Sequence, residues 1–563
     1  MKYKHKLLHN TQLLQAGLLL IFFPLHVLAQ VIPGAGSLLQ EIQPLRPPAP
    51  SSTGTGLSVE PHDDARLPPS DPFLVRHILI SGNTRFDTAI LHALVADAEG
   101  QSITLSRLGE LAARLTDYYH THGYPLARAV IPPQTITAGT VRIDILEARY
   151  GKITLDNQSR VMDSLLQATL APLQGGQPVG EAELDHVLLL LSDIPGAATT
   201  AILKAGEQIG TSDLLVGAAR VPVVSGSAAL DNEGNRYTGR ARIGGTINVI
   251  DPLHHGDVLG ASVLSSGSGM NYGRVSYDTL LNGQGTHIGA SWSALHYVLG
   301  DTLAALDAHG TAQVASLWVR QPLLRSRDVN LYGQIQYDGL QLRDHVDASA
   351  LKTDRHLNNW TASLSGDARD SWLTGGANAW SVGWSAGRIS FDDDAAQLAD
   401  AGSARTQGHF SKWNANLVRL QNLRPRDSLY LSVSGQWANT NLDASQKMSL
   451  GGPYSVRAYD TGALSGDAGY LGTVEWRHEL GALWQGQWQT ITFFDSGHVT
   501  GNHSAWAKGS NTATLSGAGL GLSWAGFDRW SARSWIAVRT GPLPALVAAT
   551  STVRLWVELS RGF

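Results

Sequence analysis

From about Ser225 to Phe563, apolar and polar residues alternate with period two, interrupted by Gly-rich and Asp-rich turns. In LYLSVSGQW, Leu429, Leu431, Val433, Gly435 and Trp437 share one face, while Tyr430, Ser432, Ser434 and Gln436 share the other. In LYGQIQY, Leu331, Ile335 and Tyr337 oppose Tyr332, Gln334 and Gln336. This alternation predicts β-strands with one apolar face. It does not say which face meets water, because a soluble sandwich keeps its polar face outside whereas a membrane barrel turns it into the lumen. About 340 residues, at roughly 20 per strand and connection, predict an antiparallel barrel of about 16 strands, an even number as such barrels require.

Ahead of this region the period changes. FLVRHILISG reads as a strand, DTAILHALVADAEG and SRLGELAARLTDYYHTHG as helices, and LARAVIPP and TVRIDILEA as strands. The order then restarts: YGKITLDN is a strand, SRVMDSLLQATLAPL and GEAELDHVLLLLSDIPG are helices, and AATTAILKA and DLLVGAARVP are strands. Two βααββ units in tandem follow from the pattern alone, over 73–149 and 150–223, with the barrel over 224–563. Upstream, GAGSLLQEIQ predicts a short amphipathic helix with Leu38, Leu39 and Ile42 on one face, stopped by Pro44, within residues 30–44. Residues 45–72 are rich in proline and read as an extended linker without a core of its own. Residues 1–29 predict a secretory signal peptide, with Lys2, Lys4 and Lys6 before an apolar stretch ending in Val27-Leu28-Ala29.

Composition adds a constraint. Only 16% of residues are charged, with 60 glycines and 16 tryptophans, so something other than water solvates part of the surface. Beyond the leader no apolar run approaches the ~18 residues of a spanning helix, which leaves a closed barrel as the way to satisfy a backbone in lipid. Losing the leader removes three lysines and no acid, leaving 39 of the 42 basic residues against 47 acidic ones, a net charge of −8. That balance does not favour nucleic acid. The chain has no cysteine, which suits passage unfolded through an oxidising compartment.

Candidate chemistry concentrates in two segments, GGPYSVRAYD and FFDSG. Three enzyme-like signals fail on context. Gly383-Trp384-Ser385-Ala386-Gly387 is literally G-x-S-x-G, but it lies in an alternating strand that runs on into FDDDAA, not in a strand-to-helix elbow. Gly517-Ala518-Gly519-Leu520-Gly521 has Leu522 where a dinucleotide fingerprint needs its third glycine. His120 and His122 end a helix without a third ligand in view. No catalytic residue, cofactor or metal site is expected.

The segment around Val456, Arg457, Ala458 and Tyr459, with Gly451, Gly452, Gly466, Asp467 and Gly469, resembles the VRGY loop signature of POTRA-plus-barrel outer-membrane transporters. Phe493, Asp495 and Gly497 are similar to the F-x-D-x-G signature of the barrel strand facing that loop. Val553, Leu555, Val557 and Leu559 alternate up to Phe563, which resembles the recognition signal of outer-membrane barrels. DNEGNRYTGRARIGGTINVIDPLHHGD, from Asp231, is similar to the first barrel strands of such transporters. The tandem units resemble POTRA domains, and the mature chain end to end resembles the TpsB family, the transporters of two-partner secretion that export haemolysins and filamentous adhesins.

The resemblance implies that the POTRA units capture an unfolded TpsA-type client in the periplasm and pass it through the barrel to the surface without ATP. It implies a plug role for helix 34–43, and Arg457 donating to Asp495 across the lumen. Its client surface would be helix 106–119 with strand 126–131. The other partners implied are the barrel-assembly machinery, periplasmic chaperones and outer-membrane lipid. Ala458 departs from the family's usual glycine. The alternatives are a barrel-assembly insertase of the same superfamily, or a barrel hydrolase, for which the sequence yields no Ser/His/acid set.

Overall fold

A computed structural model of the chain describes residues 32–42, 54–59 and 68–563; the expected signal peptide and most of the linker lie outside them. Helix α1 (Ala35–Ile42) and strand β1 (Leu57–Val59) come first. The first unit contains β2 (Phe73–Val75), β3 (His77–Ser81), α2 (Thr88–Ala93), β4 (Gln101–Ile103), α3 (Leu105–Thr121), β5 (Arg128–Val130) and β6 (Thr140–Leu146). The second contains β7 (Arg149–Asn157), α4 (Asp163–Leu170), α5 (Glu181–Ser192), β8 (Ala197–Ala205) and β9 (Thr211–Arg220).

Three expectations change here. FLVRHILISG breaks at Arg76 into β2 and β3, the helix expected over DTAILHALVADAEG stops at Ala93, and Gln101–Ile103 forms a short strand against β2. The linker also has structure: β1 pairs in parallel with β8, Leu57 opposite Ala201, and Ala201 N donates to Gly56 O at 3.0 Å.

Among the described residues, sixteen antiparallel strands close into a barrel. They are β10 (Val224–Asp231), β11 (Arg242–Ile250), β12 (Val258–Ser265), β13 (Met270–Leu280), β14 (His287–Val298), β15 (Ala308–Arg325), β16 (Val329–Val346) and β17 (Leu351–Asp370). There follow β18 (Gly376–Phe391), β19 (Gly408–Arg424) and β20 (Asp427–Ala438), then a long inserted loop carrying β21 (Met448–Leu450) and β22 (Leu464–Gly466). The circuit ends with β23 (Ala468–Leu483), β24 (Gly486–Thr500), β25 (Thr512–Gly526), β26 (Trp530–Arg539) and β27 (Val553–Gly562). Trp384, Trp413 and Trp437 stand in register on neighbouring strands, all exposed on the outer face, as the aromatic girdle of a membrane barrel requires. Gln334, Gln336, Asn359, Ser363 and Asn416 point inward, which decides the question that alternation alone left open.

Closure is thin. β10 and β27 share five registered pairs, from Ser227 with Gly562 to Asp231 with Glu558. Phe563 extends the seam: its N–H donates to Gly226 O at 3.0 Å, and Gly226 N returns a bond to Phe563 O at 3.2 Å. A Cβ on Gly226 would lie 2.4 Å from the Phe563 ring, so this position must stay bare. Gly226→Val is therefore expected to deplete folded barrel in the membrane, read as loss of the heat-modifiable band. Wild-type amounts would show that the seam does not depend on this contact.

Buried polar pins secure the first unit and join the second unit to the barrel. At the end of the first unit, the Glu147 carboxylate accepts from that unit's own Thr84 N at 2.7 Å, Arg85 N at 2.9 Å and Tyr119 OH at 2.9 Å. Burial pushes this carboxyl up, but the bonds from Thr84, Arg85 and Tyr119 outweigh burial and hold it below its ordinary value of 4.5. A depressed carboxyl contributes stability that is present above the unfolded value and lost as pH falls through the folded one. Glu147→Gln should thus cost about 1–3 kcal/mol of unfolding free energy near neutral pH, with the deficit shrinking as pH drops below 4.5. A deficit independent of pH, measured by denaturant melts, would contradict this.

Between the second unit and the barrel the pin is Arg325, whose side chain has no exposed surface. It grips Asp193 through Nε at 2.7 Å and Nη2 at 2.9 Å and donates to Asn330 at 3.0 Å. Arg327 reaches Asp185 at 2.6 Å, and Met162 N donates to His254 O at 2.9 Å. Barrel turns thus seat on the helix pair of the second unit.

Candidate functional site

Two bodies occupy the lumen: α1 and the loop over 439–467. The loop tip is held by one guanidinium. Arg457 donates to Asp495 through Nε at 2.8 Å and Nη2 at 2.7 Å, its backbone N adds a bond to Asp495 at 3.1 Å, and Nη1 reaches Glu475 at 2.7 Å. Its plane sits over the Phe493 ring, 3.5 Å from the centroid. Arg457 and Asp495 are both buried. A planar fork that satisfies one carboxylate bidentately while a third nitrogen takes another is geometry that arginine has and lysine lacks.

The two signatures therefore meet, with two additions the motifs did not contain. Glu475, on β23, is shared between Arg457 and Arg477, whose Nη2 lies 2.6 Å away. Trp556, on β27, donates to Arg457 O at 2.7 Å. Asp495 lies inside its strand and not at a turn, because β24 continues to Thr500. Phe493, Asp495 and Gly497 do share one buried, inward face. Val456, Ala458 and Tyr459 are buried against the same wall. Ala458 takes no left-handed backbone angle. Its methyl is accommodated by Gly517, where an added Cβ would stand 2.4 Å from it, so a glycine in the wall makes room for the side chain in the loop.

Helix α1 is anchored at both ends. Ala35 N donates to Asp344 at 2.7 Å, and Asp344 is itself held by Tyr297 at 2.6 Å and Arg355 at 2.7 Å. Arg355 continues to Asp443, 2.6 Å away, in the inserted loop. At the other end Glu41 accepts from Asn235 at 3.0 Å, and Asn235 also donates to Thr461 O at 3.3 Å. Between these anchors Leu38 and Leu39 enter an apolar collar that includes Leu295, Leu342, Leu357, Ile389 and Phe410. Helix and loop thus share partners.

The remaining candidates fall elsewhere. Ser385 is an inward strand residue 2.8 Å from Thr361 Oγ1. Contrary to expectation a helix, α6 (Asp394–Ala401), does follow FDDD, capped by Asp393, but it begins beyond the end of β18 and presents no elbow to Ser385. His120 bonds Ala127 O at 3.0 Å, and His122 bonds Tyr118 O at 2.7 Å. On the expected client surface, Ala129 N of β5 is already capped by Thr116 Oγ1 at 3.0 Å, so that edge is closed at its centre. The wall also contains a Ser-His-acid chain that sequence reading does not assemble: Ser390 Oγ is 2.9 Å from His356 Nε2, and His356 Nδ1 is 2.7 Å from Asp392. It lies on the outward face at the rim, in water, where Asp392 N is spent on Asp354 O at 2.9 Å. Among the described residues no paired amides face the hydroxyl to stabilise an oxyanion.

Comparison with known proteins agrees with this fold. A family model described as haemolysin secretion/activation protein ShlB/FhaC/HecB matches residues 210–524, and one described as POTRA domain, ShlB-type, matches residues 73–148. The heme/hemopexin transporter protein HuxB of Haemophilus influenzae (strain 86-028NP) is 27% identical over 499 residues, covering 87% of each chain. The outer membrane transporter CdiB of Escherichia coli is 23% identical over 483 residues, covering 83% of this chain and 79% of its own. A solved structure of CdiB from Escherichia coli superposes with a TM-score of 0.69 at 21% identity, covering 90% of this chain and 93% of that one.

Proposed function

We infer the following for a chain that belongs to the haemolysin secretion/activation family of ShlB, FhaC and HecB. It is an outer-membrane pore of two-partner secretion, with its POTRA units in the periplasm, and it delivers a partner exoprotein to the cell surface. The observation that carries the finer reading is the pair of lumen bodies, α1 and the loop, each held by polar side-chain bonds that lie outside the strand pairing of the barrel. On this reading α1 is a plug, and Arg457 with Asp495 and Glu475 is the latch of a gate. Phe563 serves assembly by the barrel-assembly machinery, and the client reaches the pore in an unfolded state kept by periplasmic chaperones.

Recognition falls to the POTRA units through main-chain pairing, which tolerates varied side chains. With β5 capped at Ala129, the first contact uses the flanks of that edge. Direction comes from folding outside, where burial of apolar surface makes return unfavourable, and no nucleotide or catalytic group takes part. The test is reconstitution: liposomes bearing the protein should render an unfolded partner exoprotein, supplied on the POTRA side, protease-protected inside without nucleotide. No protection, with correctly oriented barrels, would refute it.

A further inference from the structure

The barrel wall is taller on one side. Even-numbered strands from β10 to β20 run away from the POTRA units, so the Val346 end of β16 and the Phe391 end of β18 lie at the cell surface. There β20 stops at Ala438, beside the girdle residue Trp437, whereas β18 runs on from Trp384 to Phe391 and β17 reaches from Trp360 up to Leu351. The raised outward face carries cations. Arg343 on β16, Lys352 on β17 and Arg388 on β18 are exposed on it, and among the described residues no bond or ion pair engages any of the three side chains. The carboxylates of the same face are already taken: Asp354 lies 3.3 Å from His345 Nε2, and Asp392 lies 2.7 Å from His356 Nδ1. Asp393 caps α6, and Asp347 and Asp394 stand beyond the strand ends. Around the seam the outward residues at this end are apolar, Val538, Val553, Leu230 and Ile243, all exposed. The free charge therefore gathers on β16–β18, diametrically opposite the seam of β10 and β27.

Depth decides what such cations meet. A strand rises ~3.3 Å per residue and tilts by about 40° in a membrane barrel, so Arg388, on the face of Trp384 and further along β18, stands roughly 10 Å above the girdle. Arg343 and Lys352 stand higher on their strands. The girdle marks the hydrocarbon boundary, which puts this face among the lipid headgroups. An unpaired cation at that depth is stabilised by anionic headgroups, and an arginine fork matches two phosphate oxygens at once. Neutral donors lie between the charges: Asn358, which accepts from the girdle residue Tyr337 OH at 3.0 Å, and His409, in register with Arg388. We propose that the outward face of β16–β19 above the girdle binds the phosphates of the glycolipid of the outer leaflet, through Arg343, Lys352 and Arg388. The contact holds the barrel to the leaflet on the side away from its seam.

The test titrates the full chain in detergent with lipopolysaccharide lacking its outer sugars, and with the same glycolipid stripped of phosphate, and counts bound lipid by native mass spectrometry. Each cation is worth roughly a fivefold change in affinity. Arg343→Gln, Lys352→Gln and Arg388→Gln together should therefore weaken binding by about a hundredfold, and the unchanged chain should bind the stripped glycolipid as weakly as the triple variant binds the intact one. Arg561→Gln, outward at the periplasmic end and engaged with Asp528, should leave binding as it is. The three side chains hold no bond, so the triple variant should keep its heat-modifiable band, and the phosphate-stripped arm needs no substitution at all. Equal binding of both glycolipids by the unchanged chain, or undiminished binding by the triple variant, would overturn the proposal. Displacement of the glycolipid by inorganic pyrophosphate at matching affinity would overturn the lipid as occupant and make this a site for a soluble anion.

Discussion

Arg457→Ala should abolish secretion while folded barrel stays near wild-type abundance in the membrane. The substitution leaves Asp495 and Glu475 facing each other without the cation that both bind. Breaking a buried pair in this way costs about 3–5 kcal/mol, enough to lower the docked population of the loop by roughly two to three and a half powers of ten. Barrel closure is unaffected because none of the strand pairs involves the loop tip. Arg457→Lys should fall between, since an ammonium cannot span a bidentate carboxylate and a second acceptor together. The charge exchange Arg457→Asp with Asp495→Arg should not rescue, because the new aspartate would face Glu475. The check is secretion at matched abundance together with thiol labelling of Ser455→Cys as a reporter of loop release. Normal secretion by Arg457→Ala would show that docking of the loop is dispensable.

Freeing α1 has the next largest expected effect. Deleting 32–42 should produce a large, steady rise in single-channel conductance, because α1 lines two lumen cavities, of about 390 Å³ and about 620 Å³, and its removal opens both. Asp344→Ala should give a partial version of the same result. It removes the acceptor of Ala35 N and one of the two carboxylates on Arg355, a loss of about 1.5–3 kcal/mol. The open fraction should then rise by about tenfold or more. A conductance unchanged by the deletion would mean that α1 does not obstruct the pore.

Why some of this was legible and some not follows from the physics of each element. Long strands repeat their alternation often enough to be read, and the inward Gln436 and outward Trp437 stand where the pattern puts them. Strands of three residues, such as β1 and β4, are shorter than any period that could reveal them. The end of the helix expected over DTAILHALVADAEG is hidden because Ala96–Ala98 makes a single 3₁₀ turn with the composition of an α-helix. Arg457 and Asp495 were found through motifs, whereas Glu475 and Arg477 lie in GTVEWRHEL outside any motif. Their signal was nonetheless present: an acid and a base two apart on the face opposite Val474 and Trp476. The capping aspartate before DAAQLADA was the overlooked sign of α6. Arg325 gave no sign, since an arginine beside a turn reads as a solvated charge.

That arginine bears on how such transporters can be recombined. A chimera cut at the nominal boundary near residue 223 would separate Asp193 from Arg325, Asp185 from Arg327 and Met162 from His254, stranding a desolvated guanidinium against a foreign surface. The exchangeable piece is the second POTRA unit together with the barrel turns at 251–257 and 326–328, a module discontinuous in sequence and continuous in space. The first unit keeps the bonds of Glu147 within itself and meets the second through a main-chain bond from Glu181 N to Gly123 O at 2.9 Å, so it is the one that can be exchanged by a single cut.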